Sequence, residues 1–157
     1  MFFKSMSKAL VLALFLSQSS AKQVILDPPA STSEGKPLAI VWIHGMGCKP
    51  EAYETIAQEL QNVAGQAGYK TWVGAPEFVF DAPEPVLIDH YVTETIQELK
   101  KRGFTGDDIF IAAHSLGGIM SQMFVKSHSD LIKGQILMGS VLERNTHSIT
   151  DEGKTLF

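Results

Sequence analysis

The chain has 157 residues, which is enough for one domain and too few for two, since domains usually contain about 100–200 residues. It carries 13 lysines and arginines against 17 acidic residues, and this net charge of −4 offers no excess of cations for the phosphates of a nucleic acid. A hydrophobic content of 45% and a charged content of 19% are typical of a globular protein. One cysteine excludes an internal disulfide framework and a cysteine-rich zinc site.

The first 21 residues have the pattern of a secretory signal peptide. Lys4 and Lys8 precede an apolar run over residues 9–16, and the small residues Ser19 and Ala21 suit cleavage after Ala21. The run is far shorter than the roughly 20 residues that a membrane-spanning helix needs, so we expect no stable membrane span. The pattern predicts a protein that is secreted or lies in the secretory lumen or periplasm. An uncleaved anchor or a buried helix is the alternative.

The region that follows predicts a lead-in, a strand and a helix. Prolines and small polar residues make residues 22–37 a lead-in loop, in which residues 24–26 could form a short edge strand. Residues 38–43 are continuously apolar, which is typical of a strand buried on both faces. A first helix is predicted over residues 50–67, because apolar residues recur there three or four positions apart. Those residues are Tyr53, Ile56, Ala57, Leu60, Val63, Ala64 and Ala67.

The same alternation continues to residue 142. A second strand over residues 69–79 and a turn over 81–85 precede a second helix, which ends in three cations and Gly103. The residues that mark one face of this helix are Ile88, Tyr91, Val92, Thr95, Ile96 and Leu99. The remaining predicted elements are a third strand over 108–113, a third helix over 116–126 and a fourth strand over 134–139. Strands that alternate with helices predict βαβ units. We therefore expect one α/β domain over residues 38–142, with a parallel sheet flanked by helices, and a polar tail over residues 143–157.

The third strand and third helix are joined by Ala113-His114-Ser115-Leu116-Gly117-Gly118. A serine on a sharp strand-to-helix turn is presented above the carboxyl edge of the sheet, and small residues two positions to either side allow the close approach. The usual pattern is Gly-x-Ser-x-Gly, and Ala113 replaces the first glycine here. The N–H of Leu116 at the start of the helix would face a developing oxyanion.

A second oxyanion donor is predicted at the end of the first strand. His44-Gly45-Met46-Gly47 lies at the same edge of the predicted sheet, and its glycines let the backbone turn its amides into a pocket. The N–H of Met46 is the expected partner to that of Leu116. Two such amides can stabilise the tetrahedral intermediate of acyl transfer by several kcal/mol.

Together, these two motifs resemble the α/β-hydrolase superfamily, in its esterase/lipase and dienelactone-hydrolase-like branches, over about residues 38–142. The resemblance implies that Ser115 is the nucleophile and that the amides of Met46 and Leu116 form the oxyanion hole. The substrate would be a small-molecule ester or lipid, and no metal or organic cofactor is implied. Residues that would shape the motifs, rather than supply the base, are His44, Gly45, Gly47, Ala113, His114, Gly117 and Gly118.

The two motifs predict a nucleophile but not the base and the acid that complete a catalytic triad. A serine nucleophile needs a base, the base needs an orienting acid, and in this superfamily both follow the serine on loops after later strands. Only 42 residues follow Ser115, and the third helix and fourth strand use most of them. Glu143 and His147 are the only late candidates for acid and base. We therefore expect a truncated serine hydrolase.

Several alternatives remain at this stage. One is a non-catalytic binding module of the same fold, and another is an inactive fragment. Within the enzyme class, a peptidase, a thioesterase or a haloperoxidase also fits, because substrate specificity lies in residues that the pattern does not locate. A sheet that ends at the fourth strand would expose an edge, so we expect poor solubility or self-association of this chain.

Overall fold

The computed structural model describes residues 23–32 and 34–143, together with the backbone of residues 148–149 and 155–156. Five strands of this part form one sheet: β1 (Gln23–Leu26), β2 (Lys36–Ile43), β3 (Tyr69–Pro76), β4 (Ile109–His114) and β5 (Ile132–Met138). Three α-helices connect them: α1 (Glu54–Gln66), α2 (Pro85–Lys101) and α3 (Leu116–Ser127). Short 3₁₀ turns lie at Ala30–Thr32, Pro50–Tyr53 and Val79–Asp81.

The strand order is β1-β3-β2-β4-β5, and all pairs are parallel except β1 with β3. The predicted α/β class with a parallel sheet is thereby confirmed. The register places Ile43 of β2 opposite Ala113 of β4, and His114 of β4 opposite Met138 of β5. Because these strands are parallel and end level with one another, the segments that follow them emerge side by side at one edge of the sheet.

Helices cover both faces of the sheet, and each face has its own apolar core. Ala39, Val41 and Ile43 of β2 face α2 and α3, whereas Ile40 and Trp42 face α1. This alternation explains why residues 38–43 of the strand are all apolar: successive side chains enter one or the other of two cores. The six apolar-face positions of α2 are buried as the periodicity predicted: Ile88, Tyr91, Val92, Thr95, Ile96 and Leu99.

The lead-in differs from the predicted loop over residues 22–37. Residues 23–26 form the edge strand β1, and the sequence had indicated a possible edge strand at residues 24–26. Residues 36–37 already belong to β2. An edge strand needs only one hydrogen-bonded neighbour, and β3 supplies it. The predicted polar tail also contains a short antiparallel pair, β6 (Ser148–Ile149) with β7 (Thr155–Leu156).

The predicted apolar face of the first helix is partly wrong. Ile56 and Val63 of α1 are 49% and 60% exposed, and the polar Gln61 is buried instead. The Gln61 Nε2 donates to the carbonyl oxygens of Leu26, Asp27 and Thr71 at 3.2, 3.2 and 2.7 Å. A glutamine whose side-chain amide is hydrogen-bonded to backbone carbonyls can occupy a core position that periodicity assigns to an apolar residue. No helix in the described part of the chain is both long and apolar enough to cross a membrane.

Candidate active site

Ser115 lies between the end of β4 and the first residue of α3, at the carboxyl edge of the sheet. Its backbone has φ 49° and ψ −123°, a left-handed φ that glycine tolerates and other residues rarely adopt. The turn is held by the Ser115 N–H, which donates to the carbonyl of Met138 at 2.9 Å, and by the Gly118 N–H, which donates to the Ser115 carbonyl at 3.0 Å. The Ser115 side chain makes no capping bond to the helix, so its hydroxyl remains available to a ligand.

Glycines allow the elbow to approach its neighbours. A Cβ on Gly117 would collide with the carbonyl oxygen of His44 and lie 2.8 Å from that of Ile43, and neither backbone atom can move cheaply. A Cβ on Gly118 would lie 2.5 Å from the Oγ of Ser140 in the turn after β5. The helix that carries the serine therefore rests directly on the end of β2, which is the close approach that the Ser-x-Gly spacing predicts.

The loop after β2 lies against the same serine. A Cβ on Gly45 would lie 3.3 Å from the Ser115 Cβ, so the two segments are in van der Waals contact. The Gly47 N–H donates to the carbonyl of Asp81 at 2.8 Å and the Cys48 N–H to that of Gly45 at 3.2 Å. Among the described residues, the N–H of Met46 has no acceptor, and the N–H of Leu116 lies in the first turn of α3, where none exists within the helix.

Charged side chains fix this loop from outside. The Lys49 Nζ bonds Glu77 at 2.8 Å and Asp81 at 3.4 Å, and these partners, Glu77 first, raise the pKa of Lys49. Because the same Asp81 accepts the Gly47 N–H through its carbonyl, the loop after β2 is tied to the turn after β3 twice. Surface ion pairs of this kind stabilise by little, and their effect here is to restrict the conformation of the loop.

Known proteins were compared with this arrangement. No protein-family model matches the chain, and no curated protein matches it in sequence. Solved structures do match. A phospholipase/carboxylesterase from Dyadobacter fermentans gives a TM-score of 0.59 at 15% identity, over 82% of this chain and 66% of that one.

Two further hydrolases superpose equally well. A monoacylglycerol lipase from Paleococcus ferrophilus gives a TM-score of 0.57 at 18% identity, over 84% of this chain and 47% of that one. A fluorophosphonate-binding serine hydrolase from Staphylococcus aureus gives 0.57 at 19% identity, over 80% and 53%. This chain has the α/β-hydrolase fold. It spans 47–66% of the length of these three structures.

The two histidines of the α/β-hydrolase motifs are both engaged within the fold. His44 is fully buried; its Nδ1 donates to the Gly45 carbonyl at 2.8 Å and its Nε2 accepts the Phe78 N–H at 3.4 Å. The His114 Nδ1 lies 2.9 Å from the hydroxyl of Tyr53. That hydroxyl also accepts the Gly45 N–H at 3.1 Å, so Tyr53 joins both motifs. No sequence pattern marks Tyr53, because its partner His114 lies 61 positions away.

The described residues bring no histidine to the hydroxyl of Ser115. His90 and His128 lie on α2 and at the end of α3, each paired with a carboxylate. Of the two late candidates, Glu143 is exposed and its N–H donates to the Gln122 Oε1 at 2.7 Å, whereas His147 lies outside the described residues. The candidate nucleophile and the two candidate oxyanion amides are therefore among the described residues, and a candidate base is not.

Ser127, His128 and Asp89 form a group that resembles a catalytic triad without having the geometry of one. The His128 Nε2 lies 3.2 Å from Asp89 and its Nδ1 3.3 Å from the Ser127 Oγ. The Ser127 hydroxyl, however, bonds the helix carbonyls of Met123 and Phe124 at 2.8 and 3.1 Å, so it is occupied by its own helix. The His128 ring also stacks on Phe124, with 4.2 Å between the two ring centroids.

No cluster of three or more histidine, cysteine, aspartate or glutamate side chains that could hold a metal ion is found among the described residues. Cys48 is a partly exposed free thiol in the loop after β2. Burial is the main cause that raises the pKa of the neighbouring Tyr53, which keeps this phenol protonated at neutral pH.

Proposed function

We propose that the protein is a serine hydrolase that cleaves carboxylic esters or lipids through an acyl-enzyme at Ser115. The observation that carries this proposal is the backbone of Ser115, held at φ 49° on a strand-to-helix turn beside two amides that have no acceptor among the described residues. A residue in such a conformation costs about 1–3 kcal/mol, and strain of this kind clusters at active sites. The superposed proteins support a hydrolase, since they are themselves esterases, lipases and serine hydrolases.

The proposed reaction uses the parts in a fixed order. The Ser115 Oγ attacks the ester carbonyl carbon, and the carbonyl oxygen becomes an oxyanion that the N–H groups of Met46 and Leu116 face. The bond to the alcohol then breaks, the alcohol leaves with a proton, and the acyl group stays on Ser115. Water repeats the attack and releases the carboxylic acid. Removing one oxyanion donor from such a site typically costs about 10²–10³-fold in kcat.

The general base of the proposed reaction lies outside the residues that the structure describes. His147 is one candidate, with Glu143 as its acid, and a histidine carried by additional chain is the other. The second candidate is supported by the share of the matched hydrolases that this chain spans, which is 47% for the lipase from Paleococcus ferrophilus. A triad histidine would have to reach the Ser115 Oγ within about 2.6–3.2 Å.

An apolar substrate is supported by the side chains around the carboxyl edge of the sheet. Phe80 is 89% exposed and occupies a left-handed φ of 58°, so the turn after β3 presents an aromatic ring to solvent at an energetic cost. Other exposed apolar side chains lie on the segments that follow β2, β3 and β5: Met46, Val86, Val141 and Leu142. Such a rim suits an acyl chain better than a charged substrate.

A fluorophosphonate probe tests the proposed function, because it phosphonylates activated serines. We expect labelling of the wild-type protein and none of Ser115→Ala, with Ser127→Ala as the matched control that stays labelled. Labelling of Ser115→Ala at the wild-type rate would show that the reactive serine is elsewhere. A folded wild-type protein that resists the probe would instead favour the second candidate, a non-catalytic binding module or inactive fragment, which the absence of a base among the described residues supports.

Secretion and self-association complete the proposal. We propose that residues 1–21, which lie outside the described residues, are removed, so that N-terminal sequencing of the exported protein would begin at Lys22.

Self-association would use β5, an edge strand of the described sheet, where Ile136 is 39% exposed beside an apolar groove of about 370 Å³. Ile136→Lys should lower the sedimentation coefficient of the associated protein, whereas Val63→Lys on the opposite side of that groove should change it less.

A further inference from the structure

The hydroxyl of Tyr53 lies between the two loops that form the candidate site. It accepts a hydrogen bond from the Gly45 N–H at 3.1 Å and lies 2.9 Å from the His114 Nδ1. Gly45 precedes the candidate oxyanion residue Met46, and His114 precedes the candidate nucleophile Ser115. One phenol therefore bonds to the residue immediately before each of the two reactive positions.

The ring of Tyr53 is itself held in place. Its centroid lies 5.4 Å from the ring of Trp42, which is buried in β2, and 5.8 Å from the ring of His114. Tyr53 ends a 3₁₀ turn whose first residue, Pro50, is buried, so the backbone that carries the phenol is anchored as well. A side chain packed on both sides holds its hydroxyl where a mobile surface tyrosine could not.

The bonds around Gly45 determine where the next amide points. The Gly45 carbonyl accepts from the His44 Nδ1 at 2.8 Å and from the Cys48 N–H at 3.2 Å, and its N–H donates to Tyr53. The Gly45 carbonyl and the Met46 N–H belong to one planar peptide group and point in opposite directions. Fixing the carbonyl therefore fixes the direction of the Met46 N–H, and Tyr53 fixes the other end of the same residue.

We propose that Tyr53 is a positioning residue, which holds the oxyanion loop against the nucleophile elbow through Gly45 and His114. This inference rests on the proposed function, since it assigns the Met46 N–H to the oxyanion. Tyr53 does not contact the reacting atoms in this role. It sets the distance and direction between two groups that do, and a displacement of about 1 Å between such groups can cost up to about 10²-fold in rate.

The test compares Tyr53→Phe with Tyr91→Phe, which also removes one tyrosine hydroxyl but from a ring packed in the apolar core on the other face of the sheet. We expect the rate constant for fluorophosphonate labelling of Ser115 to fall about tenfold in Tyr53→Phe, with the concentration for half-saturation unchanged, because a donor is displaced rather than removed. Tyr91→Phe should label at the wild-type rate even where its melting temperature falls equally. Equal labelling rates for the wild type and Tyr53→Phe would overturn the inference and leave the proposed function intact.

A double-mutant cycle with His114 separates positioning from packing. If Tyr53 acts through its hydrogen bond to His114, Tyr53→Phe should lower the labelling rate constant far less in a His114→Ala background than in the wild type. His114→Gln keeps a polar partner for the phenol and should recover part of the rate that His114→Ala loses. Fully additive losses would contradict the inference.

Amide hydrogen exchange provides a measurement that does not depend on reactivity. We expect the Gly45 amide to exchange at least several-fold faster in Tyr53→Phe than in the wild type, and to be unchanged in Tyr91→Phe. An unaltered Gly45 exchange rate would overturn the role of Tyr53. A wild-type protein that is never labelled would refute the proposed function, and the Gly45 exchange rates would still decide whether Tyr53 ties the two loops together.

Discussion

Strain at Ser115 can be measured without any assay of activity. The residue has φ 49° and ψ −123°, which glycine adopts at little cost and alanine does not. Ser115→Ala keeps a Cβ in this conformation, at about 1–3 kcal/mol, whereas Ser115→Gly relieves that cost and adds about 0.4–1 kcal/mol of chain entropy to the unfolded state. We therefore expect Ser115→Gly to be more stable than Ser115→Ala by about 1 kcal/mol.

Ser127 gives the matched control, because it is the last residue of α3 and, among the described residues, its hydroxyl bonds to its own helix and to the neighbouring His128 ring. There the order should reverse, with Ser127→Ala more stable than Ser127→Gly by up to about 1 kcal/mol. Urea unfolding of the four variants at one temperature measures both differences, and each kcal/mol corresponds to about 2–4 °C in melting temperature for a domain of this size. If alanine is the more stable residue at both positions, Ser115 is not strained and the structural basis of the proposed function is lost.

Three further perturbations test the packing of the site and core. Gly117→Ala should lower the melting temperature by several degrees, as expected for about 1–3 kcal/mol of overpacking, because its Cβ would press on strand carbonyls; differential scanning calorimetry would show it. Gln61→Leu should cost about 1–3 kcal/mol in urea unfolding by removing the hydrogen bond to the buried Thr71 carbonyl, while Gln58→Leu on the exposed side of α1 should be nearly neutral. Burial, and then a neighbouring carboxylate, raises the pKa of Tyr91 above 10.0, so the unfolded chain releases this proton first and stability falls as pH rises beyond about 10. Urea midpoints on either side of that pH should therefore diverge less in Tyr91→Phe than in the wild type.

The parts of the fold that sequence predicts are those set by local pattern and burial. β2 and β4 are continuously apolar because each lies between two other strands with helices on both faces, and this pattern survives in any sequence with such a sheet. α2 follows its predicted apolar face at every position, since it packs along the sheet over its whole length. α1 differs from its prediction: Ile56 and Val63, which belong to its predicted apolar face, are exposed.

In the candidate site, too, sequence locates the residues that a local pattern requires and misses those whose contacts are distant in the chain. Ser115 and its glycines were located from sequence because a sharp strand-to-helix turn requires small residues at fixed spacing. Tyr53 could not be located, since its role arises from two hydrogen bonds that span 8 and 61 positions of the chain. Gln61 was missed for a similar reason: its three acceptors lie on the edge strand, the lead-in and β3, and no local pattern announces them.

The general base of the proposed reaction differs from the Ser115 turn and the Tyr53 contacts, because it lies outside the described residues. The turn at Ser115 and the proposed oxyanion loop after β2 are fixed by backbone hydrogen bonds within the described residues. These bonds join Ser115 to Met138, Gly118 to Ser115, and Gly47 to Asp81. None of these bonds involves a group that a general base would have to displace. Both motif histidines already make hydrogen bonds through Nδ1, His44 to the Gly45 carbonyl and His114 to the Tyr53 phenol, and neither bonds to the Ser115 hydroxyl in the described part of the chain. In the proposed reaction, a base supplied by another segment would meet a candidate nucleophile and a candidate oxyanion loop that are already in position, and would have to reach the Ser115 hydroxyl.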